Sequence, residues 1–259
     1  MIDTIAAEWL KLRSVRSTYI LAGVVVACAG AALLLAWYAA RIWDGSTPEQ
    51  RTHFALSDVA ELVGWVAQLC MALLGVLAVT GEYGSGMIRT TLAVVPRRAT
   101  VLAAKASVVA TAAFLVGVAI PFLTYALSRL VIGDRPIRGS STPAPDEIRL
   151  LLAAGLLIAV FALIGLGLGV ILRSTAGAIV TVVALWYLLP IVALNLPSPW
   201  NDRLTSVMLI NLARELAGGH YETAAPQGLL SPAGALVTML VYAALPLGAA
   251  TLLIRRRDA

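Results

Sequence analysis

Charge is what this 259-residue chain has least of: 13% of it is Asp, Glu, Lys or Arg, against 60% hydrophobic residues. A soluble domain cannot cover its surface with so few charges, so that class is excluded. The two cysteines, Cys28 and Cys70, sit in separate apolar runs. That excludes a disulfide framework and any cysteine-based metal spacing, and both read as buried thiols. Both histidines, His53 and His220, fall in polar connecting segments, which leaves no base of that kind inside an apolar run. No Asp-rich or His-Glu cluster suggests a metal site, and no Gly-x-x-x-x-Gly-Lys-Ser/Thr phosphate loop occurs. The chain is therefore expected to carry no catalytic residue, metal or nucleotide of its own. Residues 1–16 are basic, but the first apolar run is too long for the core of a cleavable signal.

What the sequence has in abundance is long apolar runs. Six are close to or above the length that crosses a bilayer, at 18–40, 58–81, 100–132, 147–172, 176–194 and 233–254. The expected fold class is an all-α integral membrane protein with six transmembrane helices in a single domain, 1–259. The third run is longer than a span requires and contains Pro121, which predicts a tilt, a kink or an extension past one face. The fourth contains Gly165 and Gly169, a GxxxG pair that permits close helix contact, within the chain or across a dimer. Only Arg173-Ser174-Thr175 separates the fourth run from the fifth, so the two form an antiparallel pair. Tyr19, Trp37, Tyr38 and Trp43 bracket the first run as aromatic belts do. Serines and threonines within the runs are expected to bond their own backbone, which leaves Gln68 as the candidate for a substrate path.

Charge bias orients the runs. With both termini inside, the inner segments hold 11 of the 19 basic residues and a net charge of +7, and the outer segments carry −2. An excess of Lys and Arg marks the cytoplasmic side. The basic balance then requires no nucleic-acid partner.

Three shorter segments stand out. In residues 82–98, Gly84 and Gly86 are expected to break the preceding helix, Ser85 to cap a new one, and Pro96 to end it. Met87, Ile88, Thr91, Leu92, Val94 and Val95 then share one arc, with Arg89, Thr90 and Ala93 opposite. This reads as a small amphipathic peg for a soluble partner or as a helix lying on lipid headgroups. Glu82 reads as the partner of Arg89 or Arg97, since an acid facing lipid is costly. In residues 2–12, Ile2, Ile5, Ala6, Trp9, Leu10 and Leu12 share an apolar face and Asp3, Thr4, Ala7, Glu8 and Lys11 the other, as in a helix lying in the membrane interface or one packed on protein. Residues 199–217, with Ser198 as N-cap, Pro199 as the first helical residue and Gly218-Gly219 as the stop, read as one outer helix dipping into the membrane, part of a re-entrant element.

These segments carry a resemblance. Glu-Trp-x-Lys-Leu-Arg-Ser at 8–14, Gly-Glu-Tyr-x-x-Gly-x-Ile-Arg-x-Thr-Leu at 81–92, Pro-Arg-Arg at 96–98 and Leu-Arg-Ser-Thr-Ala-Gly at 172–177 resemble the ABC-2 type transporter permeases. These are membrane subunits of bacterial ABC systems whose ATPase is a separate chain. The resemblance implies an elbow helix over 1–16 with Trp9, Lys11 and Arg13, and a coupling helix over 84–95 that docks in a cleft of the cytosolic ATPase. It assigns Glu82, Gly84, Gly86, Met87, Ile88, Arg89, Thr91, Leu92, Pro96, Arg97 and Arg98 to coupling. It further implies two ATPase copies carrying ATP and Mg, and a second permease subunit in a homo- or heterodimer within the lipids of a bacterial cell membrane. The cargo would be an exported amphiphilic or apolar compound such as a lipid, antibiotic or peptide. The rival classes are a non-transporting membrane scaffold or sensor and an intramembrane enzyme. Gly84-Ser85-Gly86 shares the outline of a membrane serine protease motif, but no apolar run carries a His partner.

Overall fold

The computed structural model describes residues 2–56, 58–94, 98–137, 144–218 and 230–256, and among these the chain is built of helices. In order they are α1 (Ile2–Ser14), α2 (Arg16–Gly45), α3 (Pro48–His53), α4 (Val59–Ser85), α5 (Met87–Val94), α6 (Arg98–Ile132) and α7 (Ala144–Leu172). Then come α8 (Thr175–Val183), a π turn over Ala184–Leu188, α9 (Leu189–Leu194), α10 (Trp200–Val207), α11 (Leu209–Ala217) and α12 (Pro232–Arg256). Six helices are long and apolar enough to cross a membrane: α2, α4, α6, α7, α8 continued through the π turn into α9, and α12. They alternate in direction. One end of the bundle, its base, therefore holds α1, α5, the α7–α8 turn and the end of α12.

The bundle is organised around α4 and α7, which are buried along most of their length, while the other spans expose most of theirs. Small residues make the central contact close. A Cβ added at Gly75 of α4 would lie 2.0 Å from the Ala162 carbonyl oxygen, and one at Gly165 of α7 would lie 2.1 Å from that of Ala72. The Gly165/Gly169 pair thus serves packing within the chain, the close backbone approach that small residues allow between membrane helices.

The ends of the spans follow local chemistry. The Asp58 carboxylate caps α4 by accepting from the Ala60 N–H at 2.7 Å. Arg173 turns the chain between α7 and α8 with a positive φ of 49°, and Ser174 caps α8. Pro190 has no N–H to offer the carbonyl one turn earlier, and the helix widens there: the Leu189 N–H bonds Ala184 instead. α6 runs unbroken through Pro121.

Three expectations are corrected here. Trp43 does not join the aromatic belt; it is buried with its ring 5.8 Å from that of Phe54, edge to face. The outer helix expected over 199–217 is two helices, because Met208 is extended between them. Pro199 rather than Ser198 occupies the cap position of α10. The stop at Gly218 is present, in the left-handed conformation that glycine adopts freely. Ser107, Thr111, Thr124, Ser128 and Thr181 each donate to a carbonyl of their own helix, as their spacing predicts.

Candidate functional site

At the base, α4 continues through Gly84 to Ser85, whose hydroxyl donates to the Gly81 carbonyl rather than capping a new helix. The break comes at Gly86 alone, where φ is +72°. α5 then runs across the end of the bundle for eight residues. Ile88 turns inward and is 8% exposed, sharing a small space with Val79, Tyr83, Val101 and Leu102. Thr90 faces outward, and Met87, though exposed, borders the space between α5 and the bundle. Ile88, assigned by the family resemblance to coupling, is therefore the anchor of α5 on its own bundle. Pro96 and Arg97, and the side chains of Arg89 and Leu92, lie outside what is described.

α1 lays part of its apolar face and part of its polar face against the bundle. Ile2 and Leu10 of the apolar face are exposed, while Glu8 and Leu12 are buried and Trp9 packs only partly against the core. The reason lies behind α1. Lys105 projects from α6 into the bundle and Glu82 projects from α4, both about 5% exposed at the side chain. The two carboxylates and two ammonium groups close into a ring. Lys11 donates to Glu8 at 2.7 Å and to Glu82 at 2.9 Å; Lys105 donates to Glu8 at 2.5 Å and to Glu82 at 2.9 Å. Charges alternate around it, so every buried ion touches only opposite charges, the arrangement that makes such burial tolerable. Lys11 also reaches the Thr91 hydroxyl of α5 at 3.3 Å. Burial works against the Lys11 ammonium, but Glu8 and Glu82 outweigh it and hold its pKa above the ordinary lysine value.

Glu82 was expected to pair with Arg89 or Arg97. The side chains of both arginines lie outside the described residues; among those described, Glu82 Oε1 serves both lysines, and Oε2 is buried without a hydrogen bond. Sequence reasoning missed Glu8 and Lys105 as site residues. The available signal was Lys105 itself, an isolated charge a few residues inside an apolar run, which needs a named partner. Around the ring, Arg98 donates to the Ile254 carbonyl at 2.8 Å and so ties α6 to α12. Arg173 stacks 5.1 Å above the Tyr83 ring. Arg13 is exposed.

A cavity of about 300 Å³ adjoins the ring, walled by Leu12, Leu74, Leu77, Val108 and Val109. At the far end of the bundle a larger one, about 780 Å³, opens between α2, α4, α9 and α11. Leu35, Leu62, Trp65, Leu194 and Met208 line it, and a Glu61–Arg214 ion pair joins α4 to α11 at its edge. Gln68 is buried in α4 and lines neither cavity.

The family model for the ABC-2 family transporter protein matches residues 4–194, from α1 through α9 and with the whole ring inside it. The chain belongs to the ABC-2 transporter family. As a member it is the multi-pass permease subunit of an ABC transporter and works with an ABC ATPase subunit. No curated protein matches the permease. The family match covers α1, α5 and the α7–α8 turn at the base, and α10 to α12 lie beyond it.

Proposed function

We propose that the permease exports an amphiphilic or apolar compound across a bacterial cell membrane, driven by a separate cytosolic ATPase that docks on α5. The observation that carries this reading is α5 itself. It is a short helix pinned to the base by Ile88, with Thr90 turned away from the bundle. A soluble partner can push on such an element without contacting the hydrocarbon region. Two permeases and two ATPases form the working unit, with ATP and Mg held by the ATPase. α1 is the elbow helix, and α10 and α11 form the outer element. The apolar walls of the far-end cavity favour an amphiphilic cargo over a small ion.

The docking reading is tested by co-purification. Thr90→Asp and Thr90→Trp are expected to weaken ATPase binding by at least about ten-fold, as central contacts of an interface do, with unchanged unfolding temperature. Ile88→Asp is expected to lower both, since it places a charge in the permease's own packing. Normal binding by both outward variants would remove α5 as the docking element.

Orientation has its own test. Thr47→Cys, exposed beyond α2, is expected to react with an impermeant thiol reagent in intact cells, and Arg173→Cys to be shielded. The reverse labelling pattern would place α5 outside and end the reading.

A further inference from the structure

A buried ring of four charges is a costly way to hold helices together, since apolar residues of similar volume often do so equally well. What ion pairs add is direction: each fixes a distance and an angle between two elements, where apolar contacts allow sliding. The ring joins α1 twice, α4 once and α6 once. Among the described residues, Lys11 is the ring member that bonds α5, through Thr91. Lys11 is also the exposed member, 28% at the side chain, and its bond to Thr91 is the longest of its three. The adjoining cavity leaves α1 and α5 room to shift without displacing packed core.

Resting on the reading of α5 as the ATPase-facing helix, we propose that the ring is the joint that passes a movement of α5 to the bases of α4 and α6. Glu8 and Lys105 are its positioning residues, acting through Lys11 and Glu82. A displacement of α5 pulls Lys11, which holds both α1 and α4. Glu8 and the shared oxygen of Glu82 then carry the displacement to Lys105 and so to α6. Glu82 Oε2, buried and without a hydrogen bond among the described residues, is a second acceptor beside the first. A lysine can move onto it without leaving the ring, so the joint shifts without baring a charge.

The test uses the permease in nanodiscs with its partner ATPase. A bimane fluorophore is placed at Leu62→Cys on the wall of the far-end cavity, with Cys28 and Cys70 replaced by alanine. Quenching by an aqueous quencher is compared between the nucleotide-free and ATP–vanadate states. The neutral pair Glu8→Leu/Lys105→Met removes α6 from the ring and keeps the Lys11–Glu82 bond. It is expected to fold and bind the ATPase as wild type does, yet to lose at least about five-fold of the nucleotide-dependent change at Leu62, the scale of an ordinary coupling between sites. Reversing all four charges keeps the alternation and is expected to restore the change.

A wild-type response in the neutral pair overturns the joint, as does an assembled, ATP-hydrolysing wild type with no change at Leu62. A neutral pair that unfolds or sheds the ATPase also overturns it, because the ring is then a packing element. Failure of the reversed ring to restore the change does so too. Failure of the wild-type permease to bind an ABC ATPase through α5 is a different result: it removes the functional reading on which the joint rests.

Discussion

Lys105→Met alone is expected to destabilise the purified permease by about 3–5 kcal/mol, the cost of removing one partner from a buried ion network. The substitution leaves Glu8 and Glu82, both nearly fully buried, facing a single lysine. Among the described residues, Glu82 already has one oxygen without a hydrogen bond, so the ring has no spare donor to absorb the loss. Adding Glu8→Leu in the same chain is expected to recover most of the stability, because the remaining Lys11–Glu82 pair is neutral. Thermal unfolding of the two variants in one detergent measures this. Equal unfolding temperatures for wild type and Lys105→Met would mean that the ring is solvated rather than closed.

Gly75→Ala is expected to cost about 3 kcal/mol or more, at the upper end for overpacking a core. The added methyl would lie 2.0 Å from the Ala162 carbonyl oxygen, which belongs to a helix backbone and cannot step aside. Gly165→Ala meets the Ala72 carbonyl from the other side at 2.1 Å and is expected to behave alike. Either change pushes apart the two helices around which the remaining spans are arranged. Gly64→Ala, in the same helix but with nothing from another element within 4 Å of the added carbon, is the matched control and is expected to be near neutral. An unfolding temperature for Gly75→Ala equal to that of Gly64→Ala would show that α4 and α7 do not pack at this distance.

The correction at α5 bears on how the family motif is read. Ile88 and Leu92 share an arc with Thr91 in the sequence, and the arc alone suggests that all of it meets the partner. The permease instead buries Ile88 between α4 and α6 and points Thr91 at Lys11. A short amphipathic helix needs one face for its own attachment, because eight residues are too few to hold a helical shape unaided. The apolar arc was legible; its owner was not.

The same limit applies to α1. A helical wheel separates Glu8 and Lys11 from Trp9 and Leu10 correctly, and an isolated interfacial helix would lay the second group on lipid. With Lys105 and Glu82 behind it, Glu8 and Lys11 are drawn inward to pair with them, while Ile2 and Leu10 stay exposed on the outer side.

By itself the sequence determined the helical class, six apolar runs within a few residues of the observed spans, the antiparallel turn at Arg173 and the family. All of these rest on local quantities: the length of an apolar run against the thickness of a bilayer, and the order of short motifs along the chain. Only the tertiary structure decided which charge meets which. Glu82 finds Lys11 across 71 residues and Lys105 finds Glu8 across 97, and neither separation leaves a periodicity in the chain. Which face of α1 turns inward, and which side of α5 remains for a partner, follow from those pairings. They depend on the relative placement of four helices, fixed in turn by how closely Gly75 and Gly165 let α4 and α7 approach.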